Sequence, residues 1–348
     1  MKYRYLGDSG LLVSRICLGT MTFGQDKWGC DRDTSCAIVN KFVEGGGNFI
    51  DTADMYAGGD SERILGEAVR QHARDDLVLA TKCWFRAGQS PNAMGLSRKH
   101  IFEALDASLS RMKLDHVDLY QIHGPDPFTP VEETMAALDD LVRSGKVRYI
   151  GCSNLFAWQM VRANGIAERL NLSRFCSGQY LYNLLRRDAE RDILPACADQ
   201  GVGLICWSPL GGGMLTGKYE RGDGPPPDTR VGVRAEVDVP RYWREASFDV
   251  IDELKNVAEA HAKSLPQVAL AWLLHDRRVT AVIVGARRTD QLDDTLLSGE
   301  WDLPDADHER LATVVPFDHG YPMEWMKIAV PNTFGRQEFG PENRIFDV

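Results

Sequence analysis

Three short apolar runs early in the chain each lead into an ionisable residue. The run 48–51 (NFID) ends on Asp51, and Tyr56 follows five residues later. The run 77–81 (LVLAT) leads into Lys82, and 117–122 (VDLYQI) leads into His123. A phenol has an ordinary pKa of about 10 and is a weak acid at neutral pH. An ammonium beside it stabilises the phenolate and pulls that pKa down. Asp51 would hold the Lys82 ammonium in place and charged. Tyr56 would then give or take a proton at a carbonyl or alcohol oxygen, and His123 would hydrogen-bond the same oxygen. Such a set suits hydride addition to a carbonyl, or hydride removal from an alcohol. Each residue alone has a duller reading. A strand-end Asp often caps a helix or braces a loop, a strand-end Lys is often solvated, and a lone His is often a hydrogen-bonded loop residue. The weight rests on complementary charges at three successive strand ends.

Parallel strands present their C-terminal ends on one face, so a parallel architecture is what would gather these groups. The pattern supplies one. Strands are predicted at 16–18, 48–51, 77–81, 117–121, 147–151, 175–180, 202–207 and 279–284. Helical patterns lie between most of them, near 34–44, from 61, from 97, from Thr129-Pro130, near 156–168 and near 189–199, with 290–297 after the last. Thr129 reads as a helix cap with Pro130 at the first helical position. Eight strand-to-helix units imply a (β/α)8 barrel, a TIM barrel, with an open doubly wound sheet as the alternative. A β-hairpin is predicted before the first unit, at 2–6 and 11–13. The seventh strand is followed by a long Gly/Pro-rich loop over 208–246. Extra helices follow, at 248–262, 265–275 and 305–312, and the tail over 314–348 reads as irregular. No linker divides the chain, so residues 1–348 read as one domain.

The 348 residues are 44% hydrophobic and 26% charged, which fits a globular protein. A formal net charge of −10 argues against a nucleic-acid or membrane-surface partner, which would want a basic face. None of the eight cysteines forms a C-x-x-C pair, and no apolar run is long enough to span a bilayer. A cytoplasmic location is therefore expected. No metal site is expected: H-E-x-x-H is absent, and His116, Asp118 and His123 do not make a recognisable ligand set. The segment 212–219 (GGMLTGKY) approaches the P-loop pattern, but its last residue is Tyr, which cannot replace the small hydroxyl on a magnesium ion. No Tyr has a Lys four residues on, so the Y-x-x-x-K spacing of short-chain dehydrogenases is missing.

More specific motifs run in order along the chain. They are GTMTFG (19–24), FIDTADMY (49–56) followed by Ser61-Glu62, Thr81-Lys82, DLYQIH (118–123), GKVRYIGCSN (145–154), Gln179-Tyr180 through Asn183, WSPLGGG (207–213) and VGAR (284–287). On these the chain resembles the aldo-keto reductase superfamily over nearly its whole length. The resemblance implies the (β/α)8 barrel and a catalytic tetrad of Asp51, Tyr56, Lys82 and His123. It implies NADPH, with NADH as the alternative, bound without a Rossmann domain. No G-x-G-x-x-G opens a βαβ unit here, which agrees. Carried onto matching positions, Thr20, Met21 and Asp51 would line the nicotinamide side. Ser153, Asn154 and Gln179 would bond the carboxamide, and Trp207 would stack on the ring. Ser208, Pro209, Leu210, Gly212 and Lys218 would follow the pyrophosphate, with Arg230 near it. Gly285, Arg287, Gln291 and Asp294 would surround the adenosine end, where many relatives carry Asn in place of Thr295. Arg287 and Arg288 offer guanidinium charge to a 2′-phosphate and favour NADP over NAD. Trp28 and Trp84 are expected at the substrate rim.

The implied activity is reversible hydride transfer between a nicotinamide and the carbonyl carbon of a small-molecule aldehyde or ketone, with aromatic and sugar-like carbonyls both open. Two rivals stand beside it. One is a cofactor-sensing regulatory subunit resembling the channel-associated relatives. The other is an NAD-linked sugar or polyol dehydrogenase. The sequence leaves the oligomeric state open.

Overall fold

The computed structural model describes residues 1–334 apart from 26 and 223. The chain opens with an antiparallel hairpin of β1 (Tyr3–Tyr5) and β2 (Leu12–Ser14). Eight parallel strands then close into a barrel: β3 (Ile16–Gly19), β4 (Phe49–Asp51), β5 (Val78–Cys83), β6 (Val117–Ile122), β7 (Val147–Ser153), β8 (Phe175–Leu181), β9 (Gly203–Trp207) and β10 (Val279–Val284). Strand β10 pairs with β3, which leaves no open edge. The barrel and hairpin are those expected, and the open sheet is excluded.

Helices α1 (Arg32–Glu44), α2 (Asp60–Ala68), α3 (Arg98–Met112), α4 (Val131–Arg143), α5 (Ala157–Leu170) and α6 (Ile193–Gln200) follow β3 to β8 in turn. After β9 come α7 (Arg230–Val233), α8 (Ala235–Tyr242), α9 (Glu245–Ala260) and α10 (Leu265–His275). After β10 come α11 (Thr289–Leu297), α12 (Asp305–Val314) and α13 (Met323–Phe334). None of the helices is long and apolar enough to cross a membrane, among the described residues.

Three local expectations are corrected. The segment 208–246 is not all loop: it holds α7 and α8, which are too short to show a 3.6-residue period, and α8 carries Pro240 inside it. The tail is not irregular throughout, because α13 forms within it despite Pro331. Its last stretch, 335–348, lies outside the described residues. Thr129 does not cap α4: Pro130 stands at the cap position, and the Thr129 hydroxyl donates to Asp126 Oδ2 at 2.7 Å.

Strand alternation explains the interior. Successive side chains point to opposite faces of a strand. Cys17, Phe49, Val78, Ala80, Leu119, Ile205 and Ala281 fill the barrel, capped at its N-terminal end by Leu6 and Val13 of the hairpin region. Ile16, Leu18, Ile50, Leu79, Tyr120 and Ile150 face the helix layer. Counting upward by two from the filling residues gives Asp51 above Phe49, Lys82 above Ala80, and Gln121 then His123 above Leu119. The hydrophobic plug thus sits low in the barrel, and the polar groups crowd its C-terminal end.

The hairpin region is stitched to the far end of the chain. Arg15 donates to Leu274 O at 3.0 Å and pairs with Asp302 at 2.9 Å. Arg4 donates to Asp276 O at 3.0 Å.

Helices α2 and α3 approach very closely at Gly66, where an added Cβ would lie 2.2 Å from Met112 O and 2.5 Å from its Cα. Backbone cannot yield as a flexible side chain would, so Gly66→Ala is expected to destabilise the fold by about 1–3 kcal/mol despite the better helix propensity of Ala. A denaturant midpoint equal to or above that of the wild type would refute this.

Candidate active site

The C-terminal mouth of the barrel opens into a cavity of about 620 Å³. At its floor Lys82 is fully buried, and its Nζ donates to Asp51 Oδ2 at 2.6 Å and to Thr52 O at 2.7 Å. The Tyr56 hydroxyl lies 3.5 Å from the same Nζ. The Tyr56 and His123 rings meet edge to face, with centroids 6.0 Å apart. The four residues that sequence reasoning grouped are therefore brought together.

Each is held by its neighbours. Asp51 Oδ1 accepts from Gln121 Nε2 at 3.0 Å and from Gln179 Nε2 at 2.9 Å, so both carboxylate oxygens are engaged. Gly151 must lack a side chain, since a Cβ there would lie 2.2 Å from Ser177 Oγ and 3.1 Å from Gln121 Cγ. Tyr56 opens a single 3-10 turn to Gly59, in which Gly58 and Gly59 take φ of 62° and 95°. Ser61 and Glu62 then pin the loop from below. The Ser61 hydroxyl donates to Thr20 O at 2.8 Å, and Glu62 accepts from Thr81 Oγ1 at 2.6 Å and Arg111 Nε at 2.5 Å.

Burial dominates the proton affinities. It raises the Tyr56 pKa above its ordinary value, and Lys82 pulls against that rise without overcoming it. A net lowering by Lys82 is thus not what the site shows. Burial alone would lower the Lys82 pKa, but Asp51 and then Tyr56 outweigh it, so the ammonium is held charged. The His123 imidazole is pushed down to about 3, first by burial and then by the Lys82 charge. It is neutral across the physiological range. Its Nδ1 is buried without a hydrogen-bond partner among the described residues, which leaves Nε2 as the ring nitrogen toward the cavity.

Between its ordinary pKa of about 6.5 and about 3, His123 binds more protons unfolded than folded, so its contribution to stability is lost as pH falls through that window. Asp54, a buried carboxyl raised to about 7 by burial and then by Glu62, acts with the opposite sign over its own window. Variant against wild type isolates the imidazole. On going from pH 7 to pH 4 the wild type is expected to lose more stability in urea than His123→Gln, and equal losses would refute the assignment.

The remaining sequence candidates divide cleanly. Met21, Ser153, Asn154, Trp207, Ser208, Pro209 and Leu210 line the cavity near the tetrad. Gly212, Lys218 and Arg230 line the wing under α7, while Gly285, Arg287, Gln291 and Asp294 line the wing at α11. Thr20 does not line it: the residue is fully buried, with its hydroxyl 2.8 Å from Ser61 Oγ. Arg288 does not either, being exposed and paired with Asp290 at 2.9 Å. Trp28 reaches the wall, its ring lying 5.8 Å and 5.6 Å from the Arg230 and Arg234 guanidinium carbons. Trp84 does not, and Phe85 takes that place. The strand alternation ends at Trp84, whose φ is 155°, and its Nε1 donates to Pro125 O at 2.9 Å. Sequence reasoning also missed Met55, Gln121, Arg234 and Arg241. Only Gln121 had a signal, standing two residues before His123 on an inward-facing strand position.

Two features of the wings fit a dinucleotide. Lys218, Arg230, Arg234 and Arg287 gather on one cavity, and the Arg230 Nε is buried without a partner among the described residues. Gly212 and Gly213 take φ of 67° and 97°, which turns the backbone of the loop after β9 tightly beside Lys218. No group of three or more metal-binding side chains occurs among the described residues.

Comparison with known proteins agrees with this geometry. Residues 15–316 match the Aldo/keto reductase family. The chain is 40% identical over 311 residues to the uncharacterised oxidoreductase YrpG of Bacillus subtilis, covering 86% of this chain and 91% of that one. It is 37% identical over 323 residues to the versiconal hemiacetal acetate reductase of Aspergillus parasiticus, covering 86% and 92%. It is 38% identical over 307 residues to a probable voltage-gated potassium channel subunit beta of Arabidopsis thaliana, covering 85% and 90%. On this match, and on the barrel that carries it, the chain belongs to the aldo/keto reductase family and is an NAD(P)-dependent oxidoreductase.

Proposed function

We propose that the chain is an NADP-dependent reductase that exchanges a hydride between the nicotinamide and the carbonyl carbon of an aldehyde or ketone. The observation that carries this reading is the buried Lys82–Asp51 pair with the Tyr56 hydroxyl 3.5 Å above it, on the floor of an open cavity. A bound reduced nicotinamide supplies the hydride. Tyr56 donates its hydroxyl proton to the carbonyl oxygen as negative charge develops there. Lys82, held charged by Asp51, stabilises the phenolate left behind. The neutral His123 donates from Nε2 to the same oxygen, so the carbonyl is polarised and oriented by two hydrogen bonds at once. In the oxidising direction the same groups run in reverse.

Ser153, Asn154 and Gln179 hold the carboxamide in this reading, and Trp207 covers the ring. Lys218 and Arg230 face the pyrophosphate. Arg287, which lines the cavity, would meet the 2′-phosphate, whereas Arg288 lies outside it and pairs with Asp290. Trp28 and Phe85 bound the substrate side. Loss of one charge-assisted contact is worth about 1.5–3 kcal/mol, or about tenfold to a hundredfold in affinity. Arg287→Ala is therefore expected to raise KM for NADPH by that factor with little change for NADH. An equal change for both cofactors would remove the 2′-phosphate from the reading.

The test of the whole reading is loss of NADPH absorbance with a panel of aldehydes and ketones. Wild-type protein that turns over none of them would overturn it. The likeness to a channel subunit gives the rival its place. A sensing subunit would keep its cofactor through gel filtration and turn over once. A higher efficiency with NAD and a polyol, in the oxidising direction, would favour the dehydrogenase reading instead.

A further inference from the structure

A second cavity, of about 400 Å³, lies between α4 and α5, outside the barrel. Its deep wall is Ile122, Met135, Leu155 and Phe175, each less than a tenth exposed, so it passes through the helix layer to the strands. Ile122 and Leu155 belong to the helix-facing core, whereas their chain neighbours His123 and Asn154 line the catalytic cavity. The two cavities are therefore opposite sides of one thin wall. That wall is cross-tied: Asn154 Nδ2 donates to His123 O at 3.0 Å, and Asn154 Oδ1 accepts from Trp207 Nε1 at 3.1 Å.

The polar groups around the second cavity are sorted by kind. Its side-chain carboxylate and amide oxygens are used internally. The Asp126 carboxylate takes Leu96 N at 2.7 Å, Phe128 N at 2.8 Å and the Thr129 hydroxyl at 2.7 Å. Gln159 Oε1 takes Phe156 N at 3.1 Å. The Thr134 hydroxyl is spent as a donor to Leu96 O at 3.0 Å. What remains toward the opening is donors: the Arg162 guanidinium and the Gln159 amide nitrogen, with no protein partner among the described residues. Trp158, 60% exposed, forms the lip beside them. An apolar slot of this size with unspent donors at its mouth selects a small molecule with an apolar body and an anionic head.

We propose that this cleft is a second ligand site, distinct from the hydride-transfer cavity, for a small amphipathic anion. The body seats on Ile122, Met135 and Phe175, and a carboxylate or sulfonate meets Arg162.

The full chain is titrated with 8-anilinonaphthalene-1-sulfonate, a fluorescent two-ring anion, in four forms: wild type, Arg162→Glu, Ala163→Trp and Arg287→Glu. Arg162 is exposed on α5, so its charge reversal leaves the fold intact, and Ala163→Trp fills the slot. Saturable binding is expected in the wild type, about tenfold weaker in Arg162→Glu and unchanged in Arg287→Glu. In Ala163→Trp, if that form folds, binding is expected to be lost; if it does not, Arg162→Glu decides. Binding that survives in Arg162→Glu, or is lost in Arg287→Glu, places the probe elsewhere and overturns the proposal. So does the absence of saturable binding. None of these outcomes depends on the chain's reductase activity.

Discussion

Tyr56→Phe is expected to lower kcat by about 10²–10⁴-fold while leaving NADPH affinity close to that of the wild type. The substitution removes one oxygen. The ring remains, with its edge-to-face contact to His123 and its place beside the Lys82 ammonium, 5.1 Å from Nζ to the centroid. What is lost is the proton that the carbonyl oxygen needs as the hydride arrives. Burial already holds the Tyr56 pKa above its ordinary value, so the hydroxyl stays protonated and ready to donate. Steady-state rates beside a fluorescence titration of NADPH separate chemistry from binding. A variant within a factor of about three of wild-type kcat would move the proton donor elsewhere.

Asp51→Asn is the second change with a large expected effect, and it acts on stability as well as rate. Lys82 is fully buried and depends on Asp51 for charge balance. Breaking a buried pair by removing one partner costs about 3–5 kcal/mol, because the other charge is left uncompensated. The Lys82 ammonium would keep Thr52 O, but the Asn amide cannot offset its charge. Adding Lys82→Met should recover most of that loss, since an apolar pair avoids the stranded charge. Both variants should be poor catalysts, yet only the single one should be markedly unstable in urea. Additive losses in the double variant would mean that the two residues are not coupled.

Their places at the ends of three successive parallel strands are enough to put Asp51, Lys82 and His123 at one end of a barrel. Each lies two residues, or a multiple of two, above a hydrophobic plug residue. The same rule would have found Gln121. It failed at Trp84 because alternation stops where the strand stops, and nothing in the local residues marks that point. It could not find Arg234 or Arg241 either, since Arg234 joins two short helices after β9, Arg241 lies on the second, and such helices show no period. Thr20 was misplaced for a different reason. Its motif is structural: the hydroxyl faces Ser61 and fixes the loop that carries Tyr56, so it serves the site from outside the cavity. Arg287 and Arg288 look alike in the sequence, and only the neighbouring carboxylate of Asp290 separates them.

The stitching of the hairpin region to residues Leu274, Asp276 and Asp302 has a kinetic consequence. These contacts span most of the chain, 272 residues for Arg4 to Asp276 and 287 for Arg15 to Asp302. The pairing of β3 with β10 closes the barrel over a similar separation. Contacts this remote in sequence form late, because a long loop must be ordered before they reward it. During synthesis the first strands leave the ribosome with their neighbour on one side still missing. The unfinished sheet carries two open edges until the last strand arrives. A slow final closure in refolding follows from the way the two ends of this chain are tied.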